Sequence, residues 1–405
     1  MALNTQDDVR SSAIRNGKRA FGHAWVPVQW SVAPGRLELL GNHVDYNGGL
    51  VLAGAIDRSI WIAIAIAEGG QPDLIQAIAG DVEDRVITLR AESVTNDIDS
   101  RSGTGPEQYL QGVIEAMIAR DLKIRSSLQL SIAGDVPLGF GMSSSAGLCV
   151  AMVIALSTER LQDQEIILIA QDAEHRAGSP VGAMDQSASV AGGVILFDGA
   201  TITFKRLEPV LHDYVFAVAN SGVNHAIGSS SYPRRVEESR RALALIQEHL
   251  DPGLQALGAL EPDAWSGKKR RQVPGLDRIL VSRVDHVVSE VERVRQGVAA
   301  IETSDWRTFG RLMSASGRSS AEQYEISHPL VEELVSDLRD MPGVAGARMM
   351  GGGEGGPALA LIESRAVEKV RSTLADGYYS RHADRSASDA LQVCGFGPGA
   401  RLIRA

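Results

Sequence analysis

Cysteine is almost absent from this chain: Cys149 and Cys394 are the only two in 405 residues. Two thiols cannot build a disulfide framework, and Cys149 lies inside an apolar run, where it reads as a small core residue. Positive charge is also in deficit. The 40 Lys and Arg against 50 Asp and Glu leave a net charge of -10. That balance argues against a nucleic-acid partner and predicts repulsion from anionic membranes. One basic run, Lys268-Lys-Arg-Arg271, reads as a solvated loop or helix start. The apolar stretch 146–156 is too short to cross a bilayer. Residues 1–19 are polar and mixed in charge, without the apolar region of a secretion signal. Neither a repeat of solenoid length nor a low-complexity tract is present. A soluble cytoplasmic protein acting on a small molecule is expected, as a monomer or weak oligomer.

What the chain has instead is apolar mass and glycine. Hydrophobic residues make up 44% and charged residues 22%, with 42 glycines. Such a chain buries a full core, and its length makes two domains the natural expectation for a globular α/β or α+β enzyme. The organising stretch is Val136-Pro-Leu-Gly-Phe-Gly-Met-Ser-Ser-Ser-Ala146. Before it, Leu128, Leu130 and Ile132 alternate with Gln129 and Ser131, the period of a half-buried strand. After it, 146–156 predicts a buried helix. Gly139 and Gly141 let the backbone come close to a ligand. A helix starting near Ser143 points unpaired N–H groups and its positive dipole end at the same place. Those are the parts of a phosphate cradle, and equally of an ordinary turn with a helix cap.

Upstream, Ala33-Pro-Gly-Arg-Leu-Glu-Leu-Leu-Gly-Asn-His-Val-Asp-Tyr-Asn-Gly-Gly-Leu50 clusters Arg36, Asn42, His43 and Asp45 between glycines. Taken alone, it suits a solvated loop. Residues 61–67 alternate Trp or Ile with Ala, a buried strand with large and small faces. Residues 108–120 carry helical spacing, and Asp163 is expected to cap a further helix. Glu174 falls near the last turn of that helix, where a carboxylate sits unfavourably against the dipole. A charge so placed is either solvated or a metal ligand. Gly182-Ala-Met-Asp-Gln186 follows, then a hairpin of 194–197 with 201–204 around Asp198-Gly199. A domain boundary is placed near residue 206. Beyond it come a strand at 214–218, a polar loop at 220–235, and helices over 235–250, 276–301, 306–313 and 331–341. Gly346-Ala-Arg-Met-Met-Gly-Gly-Gly-Glu-Gly-Gly356 then runs into an apolar strand at 358–362. So dense a glycine tract means close backbone approach to something.

In this order the stretches resemble the GHMP small-molecule kinases, and within them the galactokinases. Residues 33–46 resemble the galactokinase signature, 139–146 the family's phosphate loop and 346–356 its third motif. Ala173-Glu-His175 and 182–186 are similar to the metal-ligand and catalytic-aspartate segments. Asn220-Ser-Gly-Val-Asn-His225 with Ser230-Ser-Tyr-Pro233 resembles the sugar-side loop, and Gly310-Arg-Leu-Met313 and Tyr324-Glu-Ile-Ser327 also match. The likeness spans nearly the whole chain. It implies an α+β fold of two lobes, 20–206 and 207–405, with the active site between them. The implied reaction is ATP-dependent phosphorylation of a galactose-type sugar at its anomeric hydroxyl, with ATP and Mg2+.

By the same resemblance, Gly139, Phe140, Gly141, Met142, Ser143, Ser144 and Ser145 wrap the ATP phosphates. No Walker-type lysine follows Gly141, so backbone and helix terminus do the cradling. Ser145 and Glu174 hold the magnesium. Asp185 takes or orients the proton of the anomeric hydroxyl, and Arg36 beside it adds positive charge near the transferred group. Sugar recognition falls to Asn42, His43, Asp45, Gly182 and Tyr232. The chain departs from the galactokinase pattern at Glu38, where the family has Asn, and at Asn42, where it has an acid that contacts the sugar C6 hydroxyl. Glu354 replaces an aromatic, and the segment between Glu174 and Asp185 is one residue short. A neutral Asn42 leaves galacturonate or another C6-modified sugar as the alternative substrate. The alternative class is a sugar sensor without catalysis, like a yeast co-activator that lacks a dipeptide of the phosphate loop; this chain retains Ser145-Ala146.

Overall fold

Two β-sheets carry the site, one on each side of it. The computed structural model describes residues 6–67, 73–91, 105–223, 231–382 and 391–405. The first sheet contains β1 (Gln29–Leu40), β2 (Leu50–Ile66), β3 (Leu74–Ala79), β4 (Glu83–Arg90), β5 (Leu128–Gly134), β6 (Val194–Asp198) and β7 (Thr203–Leu207). The second contains β8 (Tyr214–Asn220), β9 (Val344–Met349), β10 (Pro357–Glu363) and β11 (Leu391–Cys394), in the order β11-β8-β10-β9. The last strand, β12 (Arg401–Arg404), crosses back and pairs antiparallel with β1. The expected boundary at 206 falls inside β7, where Arg206 pairs with Ile195, and β12 brings residues 401–404 back to the first sheet.

β2 is the spine of the first sheet. Its start pairs with β6 and its end with β5, while β1 runs along its other edge. The alternation of large and small residues explains how it is covered on both faces. Ile60, Ile62 and Ile64 point into the main core, whereas Trp61, Ala63 and Ala65 meet a second cluster containing Val9, Ala13, Trp25 and Trp30. That second cluster is roofed by α1 (Gln6–Phe21).

The main-core face carries α2 (Pro106–Ile118), α3 (Ser144–Leu156), α4 (Asp163–Arg176) and α5 (Met184–Ala191). α3 is apolar all round because it packs against β1, β2 and the other three helices together. α4 starts where expected, but its cap is Gln162: that side chain and Glu165 make a reciprocal capping box. The 194–207 hairpin forms with a longer turn than expected, its second strand starting at Thr203.

Beyond β8 come α6 (Tyr232–His249), α7 (Gly267–Arg270), α8 (Arg278–Glu302), α9 (Trp306–Glu322), α10 (Pro329–Asp340) and α11 (Val367–Leu374). Of these, α9 and α10 pack on the second sheet, whereas α8 lies against α6, α9 and the β1 and β2 strands of the first. α6 begins at Tyr232, ahead of the expected start at 235, because Pro233 suits the first turn of a helix. α9 runs past Met313 to Glu322 through a Ser- and Gly-rich segment that propensity alone would end. Tertiary packing overrides propensity there. Gly310 and Gly346 bring α9 and β9 so close that a Cβ on either would collide with the other's backbone side. Thus Gly346 serves packing, and only the later glycines of its tract face the site. Among the described residues, no helix is long and apolar enough to cross a membrane.

Candidate active site

The loop after β5 reaches α3 through two glycines in left-handed backbone, Gly139 (φ 78°) and Gly141 (φ 59°). A Cβ on Gly141 would press on the Pro357 ring at 2.9 Å. The first turn of α3 then faces a cavity of about 500 Å³. Ser143, Ser144 and Ser145 line it on one side, and the glycine turn 351–356 lines it on the other. Phe140, expected among the phosphate-wrapping residues, is absent from the lining because its side chain is packed in the core. Ser143, itself at φ 53°, donates its hydroxyl to Asp185 at 2.5 Å instead of capping α3.

Asp185 stands in the first turn of α5 and receives Arg36 of β1 in a two-point contact, Nε to Oδ1 at 2.6 Å and Nη2 to Oδ2 at 2.7 Å. The remaining Arg36 nitrogen donates to the Gly141 carbonyl at 2.6 Å. One guanidinium thus fixes the aspartate and the phosphate loop relative to each other. Each carboxylate oxygen has two acceptor positions. Oδ1 uses one of them on Arg36, leaving one for a further hydroxyl.

Glu174 is not a solvated helix-end charge. It is 2% exposed, hydrogen-bonded to Ser145 and to the Gln186 amide. Burial, with the charge of Asp185 adding to it, pushes its carboxyl up to about 7. Ser145 and Glu174 both line the phosphate cavity. Among the described residues, no group of three or more His, Cys, Asp or Glu forms a metal cage. A hydroxyl beside a carboxylate that has no salt-bridge partner among the described residues nevertheless fits a magnesium ion that completes its shell with phosphate oxygens and water. Tyr109, unmarked by any sequence signal, lies within hydrogen-bond reach of Ser145 and Ser179 on the same wall.

A smaller pocket shares Arg36, Asp185, Gly351 and Gly352 with this cavity and extends away from it. Glu38, His43, Asp45, Gly182 and Tyr232 line it. Burial holds His43 down at about 3, so its imidazole is neutral. The Gly352 carbonyl can only accept, so His43 Nε2–H donates to it at 3.2 Å and Nδ1 accepts from the Tyr46 hydroxyl at 2.8 Å. Both ring nitrogens are spent on protein, and the ring packs 4.9 Å from that of Tyr232. Asp45 lies against the Cα of Gly182, where any Cβ would collide with its carboxylate. Burial pushes the Asp45 carboxyl up to about 7, helped by the charges of Asp185 and Glu38.

Asn42 does not face the pocket, contrary to expectation. It is fully buried, its amide donates to Glu38 Oε1 at 2.9 Å and to the Gly351 carbonyl at 3.0 Å, and its oxygen accepts from Ser320 at 2.9 Å. The pocket-facing acid is Glu38, whose Oε1 also pairs with the fully buried Arg348. The period of a strand held the signal: Glu38 is two positions from Arg36 on β1 and so shares its face. Behind this layer, Glu290 of α8 accepts the backbone N–H groups of Gly41 and Asn42, and His286 contacts the Asn42 carbonyl at 2.9 Å. Burial alone would raise Glu290, yet Arg293, His286 and Arg348 hold it at about 2. Glu354 is absent from both linings and anchors its turn by a 2.6 Å bond from its N–H to the Ile326 carbonyl. Of the sugar-side loop, 224–230 lies outside the described residues.

Comparison with known proteins accords with this arrangement. Residues 18–66 match the galactokinase galactose-binding signature, 108–193 the GHMP kinases N-terminal domain and 298–380 the GHMP kinases C-terminal domain. The chain is 33% identical to a galactokinase of Roseiflexus sp. (strain RS-1) over 89% of its length and 90% of that protein. A galactokinase of Thermotoga maritima is 30% identical over 86% and 93%. The crystal structure of Lactococcus lactis galactokinase complexed with galactose superposes with a TM-score of 0.86 at 26% identity, covering 97% of this chain and 99% of that one. A mevalonate kinase structure, at TM-score 0.62 and 16% identity, shares the fold. With an α+β fold and a glycine-serine loop cavity that shares the Arg36–Asp185 wall with a polar pocket, the chain belongs to the galactokinase family of GHMP kinases, which use ATP.

Proposed function

We propose that this chain transfers the γ-phosphoryl group of ATP to the anomeric hydroxyl of galactose. The observation that carries the reading is the position of the Arg36–Asp185 pair, on the wall common to the phosphate cavity and the smaller polar pocket. A hydroxyl presented from the smaller pocket meets Asp185 Oδ1 at its open acceptor position. The carboxylate orients that hydroxyl or takes its proton, work that supplies about a hundred- to ten-thousandfold in rate. Arg36 places positive charge beside the oxygens where negative charge spreads during transfer. The loop 139–145 and the start of α3 hold the phosphate chain by backbone N–H groups, which needs no lysine.

Ser145 and Glu174 would hold Mg2+, which when bound neutralises the phosphate oxygens. On the sugar side, Asp45 accepts from hydroxyls while His43 and Tyr232 give the pocket its shape. The test is direct: incubation with ATP, Mg2+ and galactose, with 31P NMR of the product. A sugar 1-phosphate signal is the expected result. Binding of ATP and sugar without turnover would leave a sensor, and ATP turnover only with a different sugar would displace galactose.

A further inference from the structure

We propose that Glu38 selects the sugar. Its free carboxylate oxygen accepts a hydrogen bond from a hydroxyl at the end of the pocket remote from Asp185, and its charge turns away a sugar that carries a carboxylate there. This rests on the sugar-kinase reading above and deepens it to neutral sugars.

The geometry begins with β1. Pairing with β2 is regular from Arg36 to Glu38, so the two side chains leave the same face one strand repeat apart, about 7 Å. Arg36 marks the reacting end through Asp185, and Glu38 therefore lines the pocket farther along the strand. Its two oxygens differ. Oε1 is taken by Arg348 and by the Asn42 amide, which fixes the carboxylate in one orientation. Oε2 makes no hydrogen bond to a described residue and is not among the sealed atoms that lack a partner. It is the acceptor left for a ligand.

Charge decides what that ligand is. Glu38, Asp45 and Asp185 all line this pocket. Among the described residues the cations nearby are already engaged: Arg36 by Asp185 and the Gly141 carbonyl, Arg348 by Glu38 and Ser316, Arg235 by Glu238. His43 is neutral, with both nitrogens occupied. An anionic sugar would meet carboxylates with no free cation among the described residues, a like-charge juxtaposition that interfaces use to exclude wrong partners. A hydroxyl instead offers the proton that Oε2 can accept, and a site built for that bond discriminates strongly.

The experiment compares kcat/KM for galactose and galacturonate in the full chain with saturating ATP. Wild type should prefer galactose by about a hundredfold or more. Glu38→Gln should cut that preference at least about tenfold, raising KM for galactose while KM for ATP stays put, a split that general damage to the fold would not produce. Because Glu38→Gln leaves Arg348 buried without its counter-charge, Glu38→Gln with Arg348→Gln is measured alongside; removing both members of a buried pair is better tolerated than removing one. A wild type that prefers galacturonate overturns the proposal, as does a preference unchanged in the folded variants. Turnover of neither sugar by wild type removes the galactose reading on which the proposal rests, and the proposal with it. Galactose turnover with an unmoved ratio removes only the assignment to Glu38.

Discussion

The two sides of the site are made of different material. On the phosphate side the cradle is mostly backbone, namely the loop 139–145, the first turn of α3 and the glycine turn opposite. Ser145 and Glu174 supply its distinctive side chains. On the sugar side nearly every group is a side chain, drawn from β1, the turn after it, the approach to α5 and the start of α6. Behind those stands a buried polar layer of Asn42, His286, Glu290 and Arg348. A backbone site depends on local conformation, which a short sequence pattern specifies. A side-chain site depends on which neighbour each polar group engages, and that is decided across the whole fold. Substitutions that keep shape but change charge should therefore act locally on the phosphate side and propagate on the sugar side.

The largest effect belongs to the seam between the two. Asp185→Asn should lower turnover by at least about a hundredfold while ATP still binds. An amide keeps the shape but loses the charge that Arg36 and the sugar hydroxyl both address. Steady-state kinetics with a nucleotide titration measure both quantities, and near-normal turnover would remove Asp185 from the mechanism.

Next comes Asn42→Glu, where the comparison is sharpest. From the sequence, this change restores the family pattern: with galactose as the substrate it leaves activity similar or higher, and with a uronic acid it damages the reaction selectively. The structure reverses that expectation. The new carboxylate would lie in a fully buried space against Glu38 and the Gly351 carbonyl. Two acidic groups and a carbonyl with no added donor should cost about 3 kcal/mol of stability. Thermal melts of wild type and variant check it; an unchanged melting temperature would mean that the polar layer rearranges freely.

That reversal shows what was legible and what was not. The turn into α3 could be read because Gly139, Gly141 and the serines are contiguous and their signal is conformational. Arg36, Glu174 and Asp185 could be placed by resemblance, and both departures, Glu38 and Asn42, were visible. Their contact was not. Asn42 sits in the turn after β1, and its partners Ser320 and Gly351 are nearly three hundred or more positions away. No periodicity within the signature reports such partners. The long α9 was missed for a related reason: its small residues are chosen for packing against β9, and propensity alone sees only poor helix formers. The return of β12 to the first sheet is likewise a long-range pairing with no local signal.

A smaller effect is expected from Glu174→Gln. The hard cation prefers a carboxylate oxygen to an amide. The magnesium concentration giving half-maximal rate should rise about tenfold, with the sugar KM little changed, because Glu174 lines only the phosphate cavity. An unchanged magnesium titration would take Glu174 out of the cation site. A rise in the sugar KM of equal size would break the separation of the two sides.

The smallest effect tests the buried layer through pH. Burial depresses His286 to about 4 from its ordinary 6.5. Between those values the unfolded chain binds a proton at this ring and the folded chain does not, so acidification favours unfolding. The contribution is absent above pH 7 and reaches about 1 kcal/mol of lost stability at pH 6. His43, held near 3 by burial, acts in the same direction. Asp45 and Glu174, both raised to about 7, act in the opposite one, because the folded state takes up their protons first as the pH falls. Glu290, held near 2, keeps its charge throughout this window. The total pH profile is thus a near cancellation, and the informative quantity is a difference. His286→Gln keeps a donor for the Asn42 carbonyl but cannot titrate. Subtracting its denaturant-derived stability from that of wild type at pH 7.5 and at pH 6 should isolate about 1 kcal/mol, with wild type losing more on acidification. Equal losses in the two proteins would mean that the ring is hydrated and that the layer behind the sugar pocket is open to water.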